Sequence, residues 1–160
     1  TTVYVPNGKS VDHADFPRKL AWLEALAEQA EAGRDPGSPA VLCGDFNVVP
    51  GPLDSWDEER MAGTIHHTAA ERRRVAALLA WGLVDVFRAH HPDEQAFSWW
   101  DYRAGAFHRG HGLRIDLLLA TKSVADAVSS VTIDREYRKK KDGLIASDHA
   151  PVYMDVAGVG

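Results

Sequence analysis

The stretch Pro39-Ala-Val-Leu-Cys-Gly-Asp-Phe-Asn47 decides how the rest of the chain reads. Residues 40–43 form a short apolar run bounded by Pro39 and Gly44, the pattern of a buried strand, and the run delivers Asp45 and Asn47 to its end. Alternate side chains of an extended segment share a face, so Asp45 and Asn47 are expected to point one way and Phe46 into the core. A carboxylate there can take a proton from water or hold a metal ion, and a neighbouring carboxamide can orient it or donate to an anionic oxygen. An ordinary Asx turn after a strand is the competing reading of the same residues.

Working outward, residues 1–5 alternate β-branched and aromatic side chains and run into Pro6-Asn7-Gly8, a strand ending in a turn. Residues 16–32 read as a helix, with Leu20, Leu23, Leu26, Ala27 and Ala30 on one face, Glu24, Glu28 and Glu31 on the other, and Gly33 as the stop. After Asn47 the pattern dissolves over residues 48–68, and a long irregular segment inside a compact domain is more often functional than idle. A second helix is expected over residues 69–81, with Val75, Leu78 and Leu79 inward and Arg72, Arg73 and Arg74 on its solvated start. Residues 97–102 are strongly strand-forming. Residues 113–120 read as another buried strand, carrying Arg114 and Asp116 at i and i+2 and hence on one face. A short helix over 121–129, a strand over 131–133, a basic loop over 135–143 and a turn followed by a strand over 147–155 complete the chain.

With 160 residues, 45% hydrophobic and 26% charged, the chain is one domain's worth of soluble globular sequence. Cys43 is the only cysteine, which excludes an internal disulfide and a multi-cysteine zinc site; inside an apolar run it reads as a small buried hydrophobe. No apolar run approaches the length of a membrane span, so no membrane partner is expected, and a reducing, cytoplasmic setting is the default. A net charge of −5 argues mildly against nucleic acid, but a protein that grips phosphates through one local face and a bound cation escapes that argument.

Polar residues recur where strands end: Asp45 and Asn47, Asp116, and Asp148 with His149. Several carboxylates gathered at strand ends repel one another unless a cation shares the site or one takes up a proton. A divalent metal with oxygen ligands is the economical explanation, and magnesium is favoured over zinc because cysteine ligation is missing. Adjacent strand residues face opposite ways, so Asp148 and His149 reach one site only from the turn before the strand, which Pro151 supports. His149 is expected to contact a phosphate or to pair with a carboxylate such as Asp116. For any one of these residues, a satisfied strand-end polar group is the bland alternative; for the set it is not.

Tyr4-Val-Pro-Asn-Gly, Gly44-Asp-Phe-Asn, Ser98-Trp-Trp-Asp-Tyr-Arg, Gly112-Leu-Arg-Ile-Asp and Ser147-Asp-His-Ala-Pro-Val, in this order, resemble the bacterial exonuclease III branch of the endonuclease/exonuclease/phosphatase superfamily. The resemblance implies an α/β (α+β) fold, the C-terminal part of a four-layer αββα sandwich with mixed, mainly antiparallel sheets and outer helices. It implies a magnesium-dependent phosphodiesterase, with manganese as the alternative ion, acting on duplex DNA as a 3′-to-5′ exonuclease and abasic-site endonuclease in a bacterial, nucleoid-associated setting. Position by position, Asp45 activates or orients the attacking water. Asn47 bonds the scissile phosphate and positions Asp45. His149 with Asp116 stabilises the transition state, Tyr4 reaches the phosphate or leaving oxygen, and Asp148 joins Asp45 and Asn47 at the metal. Trp99, Leu113 and Ile115 match a pocket for a flipped-out abasic sugar, and Arg103 and Arg109 match backbone-phosphate contacts.

The sequence departs from the family at Gly110 and His111, where an Asn-Arg type pair is expected. Members also carry a preceding half, with an Asn on its first strand and a metal-binding Glu on its second, that is not identified here. Residues 1–160 are therefore expected to be the C-terminal portion of such a domain, nearly inactive alone, and completed by an N-terminal half in cis or by self-association. A phosphodiesterase or phosphatase for another phosphate ester, and a non-catalytic DNA-binding module, are the competing expectations.

Overall fold

The computed structural model describes residues 1–139, 143–144 and 146–158. In chain order they form β1 (Thr2–Tyr4), α1 (Asp15–Gly33), β2 (Val41–Asp45), α2 (Glu58–Met61), α3 (Ala69–Trp81), β3 (Leu83–Asp85), α4 (Val86–His90), α5 (Ala106–Arg109), β4 (Asp116–Thr121), α6 (Lys122–Ala125), β5 (Val128–Ile133) and β6 (Val152–Val156), with single 3-10 turns at Pro52–Asp54, Arg103–Gly105 and Arg135–Arg138. Four strands make one sheet in the order β1-β2-β4-β3, with β1 parallel to β2 and the other pairs antiparallel; β5 and β6 form a second, antiparallel pair. This is the expected class: mixed, mainly antiparallel sheet flanked by outer helices, consistent with an αββα sandwich.

Helix α3 begins and ends where local chemistry dictates. The Thr68 hydroxyl accepts the Glu71 N–H at 3.1 Å while the Glu71 carboxylate accepts the Thr68 N–H at 3.0 Å, a reciprocal cap, and Gly82 at φ +131° closes the other end. Helices α1 and α3 bury Leu23, Ala27, Val75 and Leu78 against Leu42, Phe46, Leu117 and Leu119 on one side of the sheet. A second core, built on Val86, Phe87, Ala120, Val124, Val128 and Val131, joins the sheet to α4, α6 and β5. Burial of each large aliphatic side chain contributes about 1.5–3 kcal/mol before chain entropy is counted.

Gly44 is the residue that lets β1 reach β2. It sits at φ +132°, and a Cβ there would lie 2.0 Å from the Val3 carbonyl oxygen, so a side chain would drive the two strands apart.

Several expectations give way. Residues 97–102 do not form a strand; they are extended and bonded residue by residue, Trp99 bridging to Leu113 on one side and His149 on the other. Arg114 does not pair with Asp116, because the chain is irregular until Asp116 opens β4; Arg114 turns into the core to bind Asp54 and Asp85 at 2.7 Å each. Arg72 and Arg74 are not free on a solvated face: Arg72 holds Glu58 with two hydrogen bonds and Arg74 caps Leu20 and reaches Glu24. Cys43 is partly exposed, on the side of the sheet away from Leu42. Of the expected basic loop, residues 135–138 form a 3-10 turn, and Lys140, Lys141 and Asp142 lie outside the described residues. No helix among the described residues is long and apolar enough to cross a membrane.

Candidate active site

Strand register assembles a row. Tyr4 pairs with Asp45 across β1–β2, and Asp45 pairs with Asp116 across β2–β4, so three strands bring these residues to one edge of the sheet. The turn before β6 closes on the same edge, tied by the Trp99–His149 bridge and by the Trp100 N–H, which donates to the Asp148 carbonyl at 3.0 Å. His149 Nδ1 then stands 2.8 Å from an Asp116 carboxylate oxygen. The Trp99 indole N–H donates to the Asp148 carboxylate at 2.9 Å. Behind them the buried Ser98 hydroxyl oxygen accepts the backbone N–H groups of Ile115 and Asp116, at 3.1 and 3.0 Å, which fixes the start of β4.

Asp45 and Asn47 meet as expected, although Asn47 leaves the strand with φ +50°. The Asn47 backbone N–H donates to one Asp45 carboxylate oxygen at 2.8 Å and its side-chain amide donates to the other at 3.0 Å. The second amide hydrogen goes to the Val5 carbonyl at 2.9 Å, and the amide oxygen accepts from the Asn7 side chain at 3.2 Å. Both donors of the Asn47 amide are therefore taken within the protein. In this geometry Asn47 orients Asp45; a bond to a phosphate requires one of these donors to be released. Asn7, which the sequence reading placed only in a turn, is what holds the amide in this sense.

The charges follow from this packing. Burial pushes the Asp45 carboxyl up from 3.8 to about 6; the Asn47 backbone N–H pulls it down, and the facing Asp116 pushes it further up. Burial alone lowers the His149 imidazole, but the Asp116 contact and the charges of Asp45 and Asp148 outweigh it, so His149 is raised above its ordinary 6.5. A basic carboxylate thus sits beside an imidazole that favours its cationic form.

Leu113 and Ile115 are each only 3% exposed and pack with Val49, with the half-buried Trp56 and Trp99 against them, so the part of this apolar cluster open to solvent is the two indoles. Trp100 is fully buried in a separate core. Tyr4 is 69% exposed at the edge of the row. Arg103 and Arg109 are exposed on the 103–110 segment, not brought into the row; Arg103 binds Asp101 with a closest approach of 2.7 Å. The departure at His111 is filled by a ring stack on Trp56, centroids 3.7 Å apart.

Among the described residues no three acidic, histidine or cysteine side chains form a metal-binding group. Magnesium needs only one or two protein carboxylates because it keeps several waters. Asp45, half-buried and facing a second carboxylate, is a donor that fits such an ion, whereas the Asp148 carboxylate is bonded to Trp99 and the Asn47 amide oxygen to Asn7.

A sequence profile of the Endonuclease/Exonuclease/phosphatase family matches residues 2–149. The exodeoxyribonuclease of Bacillus subtilis is 33% identical over 155 residues, covering 96% of this chain and 58% of its own length. The solved 3′ phosphatase NExo from Neisseria, bound to product DNA hairpin, superposes with a TM-score of 0.90 at 36% identity, over 98% of this chain and 60% of that one. An AP endonuclease from Archaeoglobus fulgidus gives a TM-score of 0.90 at 34% identity, over 98% and 60%. The chain spans about three fifths of the length of these relatives.

Proposed function

The chain belongs to the endonuclease/exonuclease/phosphatase family, and from that premise we propose that it carries most of the catalytic centre of a divalent-metal-dependent DNA-repair phosphodiesterase, cleaving at abasic sites and from 3′ ends of duplex DNA. The observation that carries this reading is the row Asp45–Asp116–His149, a half-buried carboxylate beside an Asp-paired imidazole, at one sheet edge.

In this reading a water molecule approaches the phosphorus in line with the leaving oxygen, and Asp45 accepts its proton. Asn47 holds both oxygens of Asp45 at the required angle. His149, kept cationic by Asp116, donates to a non-bridging phosphate oxygen where negative charge develops. Tyr4, at the exposed edge, donates to the phosphate or the leaving oxygen. Asp45 would hold a magnesium or manganese ion, joined by Asp148 and the Asn47 amide oxygen once their bonds to Trp99 and Asn7 give way, and such an ion would supply Lewis acidity to the same phosphate. Trp99 receives a base-free sugar at the rim of the Leu113–Ile115 cluster, and Arg103 and Arg109 hold flanking phosphates.

Because the chain spans about three fifths of the length of its relatives, we expect residues 1–160 alone to cleave slowly or not at all and to need further sequence, in cis or from a second copy, to complete the site. The test is a substrate panel for the encoded chain that carries these residues: duplex with one abasic site, duplex with a recessed 3′ end, and a phospholipid headgroup ester. Cleavage of the two DNA substrates supports the proposal. Hydrolysis of the headgroup alone supports a different phosphoesterase, and DNA binding without any cleavage supports a non-catalytic module.

A further inference from the structure

Lys19 is fully buried on the inward face of α1, and its ammonium group spends all three hydrogens within a few ångströms of the candidate site. It donates to the Asn47 carbonyl at 2.5 Å, the Asn7 carbonyl at 3.2 Å and the Glu71 carboxylate at 2.5 Å. The His66 Nδ1–H donates to the same Asn47 carbonyl at 2.5 Å, and the His66 backbone N–H returns to Glu71 at 3.1 Å. The other Glu71 oxygen is filled by the Thr68 N–H and hydroxyl. The network is closed, and its two charges have no exposed surface.

Stability does not account for such a pair. Two ions taken out of water lose solvation that their mutual attraction barely restores, and apolar replacements of similar shape are often neutral or better. What the pair does hold is strain. Asn47 (φ +50°) and His66 (φ +72°) are two of only four non-glycine residues with positive φ among the described residues, and both touch Lys19. Such backbones persist only where the surroundings over-determine them. Gly8, at φ +84°, closes over the lysine stem, where a Cβ would come 3.0 Å from Lys19 Cδ.

We propose that Lys19, with Glu71 as its counter-ion, is a positioning residue: it clamps the carbonyls of Asn7 and Asn47 so that the Asn7–Asn47–Asp45 side-chain relay is held for reaction. The proposal rests on the reading of Asp45 as the reacting carboxylate. The clamp acts through the backbone of Asn47 and touches no substrate.

The test is the pair Lys19→Met with Glu71→Gln in one protein, which removes both charges and keeps the volume. In the full encoded protein, hydrogen exchange at the Asn47 backbone amide, the donor to Asp45, is expected to quicken at least tenfold while the Leu117 and Leu119 amides are unchanged. In the encoded enzyme, kcat for abasic duplex is expected to fall at least tenfold with KM within twofold. Unchanged exchange at Asn47, exchange that quickens equally at Leu119, or an unchanged kcat overturns the proposal. If the double variant does not fold, Glu71→Gln alone decides by the same exchange criterion at threefold. A wild-type enzyme that cleaves no DNA sinks the nuclease reading, and the exchange measurement alone then judges the clamp.

Discussion

Asp45 and Asp116 face each other as register partners across the β2–β4 ladder, and the His149 imidazole stands 2.8 Å from the second of them. Burial raises the Asp45 carboxyl from 3.8 to about 6, and the opposed charge of Asp116 adds to the rise. A carboxyl raised on folding favours the folded state while protonated, so its contribution is present below 3.8 and lost as pH climbs toward 6. In metal-free buffer the wild type should therefore lose about 1–2 kcal/mol relative to Asp45→Asn as pH climbs from below 3.8 to above 6, after discounting for partial exposure, on top of a pH-independent cost to the variant, whose amide turns a donor toward one of the two Asn47 donors. Magnesium should raise the melting temperature of the wild type and not of the variant. Denaturant titrations across pH check the first outcome and thermal melts the second.

The His149 imidazole is raised as well, but there the rise favours the charged form. Its raised value means that the Asp116 contact stabilises the fold fully below 6.5 and fades as pH passes above the folded value. Asp116→Asn should lower the His149 titration, read from its ring protons by NMR, and slow DNA cleavage about a hundredfold by removing the charge that keeps the donor cationic.

Asn7 is assigned a task by one hydrogen bond, its amide N–H to the Asn47 amide oxygen. Without it the Asn47 amide is free to invert and point its oxygen at Asp45. Asn7→Ala should lose about 1 kcal/mol of stability, as for one hydrogen bond, and slow cleavage disproportionately, about tenfold in kcat. Paired melting and steady-state measurements separate the two effects.

Arg114 locks the Pro52–Asp54 turn to the end of β3 by binding Asp54 and Asp85, and Asp54 also takes Arg88 at 2.5 Å. Replacing the buried guanidinium leaves Asp85 without its cation and Asp54 with Arg88 alone, so Arg114→Met should destabilise the fold by about 3–5 kcal/mol. Unfolding in urea measures it; Arg103→Ala, at an exposed pair, should change stability by under about 1 kcal/mol.

Much of this could be read in the sequence where local chemistry decides. The helix over residues 69–81 appears with those bounds because a cap and a glycine mark its ends, and the strand into Asp45 appears because Pro39 opens an apolar run, although it passes through Gly44, where the run was expected to stop. The pairing of Asp116 with His149 was anticipated; its distance and the register that sets it were not. What escaped depends on long-range packing. Residues 97–102 have strand propensity but find single-residue partners on each side, so no ladder continues. Lys19 did leave a signal: with Leu23 and Ala27 it falls at i, i+4 and i+8 on the apolar face of α1, where an unpaired lysine does not belong. Its partner Glu71 lies 52 positions away, and only the fold joins them.

The most direct test of the central claim, that Asp45 and His149 act on one phosphate, is a double-mutant cycle on single-turnover cleavage of a duplex carrying one abasic site. Asp45→Asn and His149→Gln should each slow the reaction by about a hundredfold or more, and the double variant should fall within about tenfold of the slower single, because groups that serve one transition state fail together. Independent, multiplying losses, or wild-type cleavage by either single variant, would contradict the account.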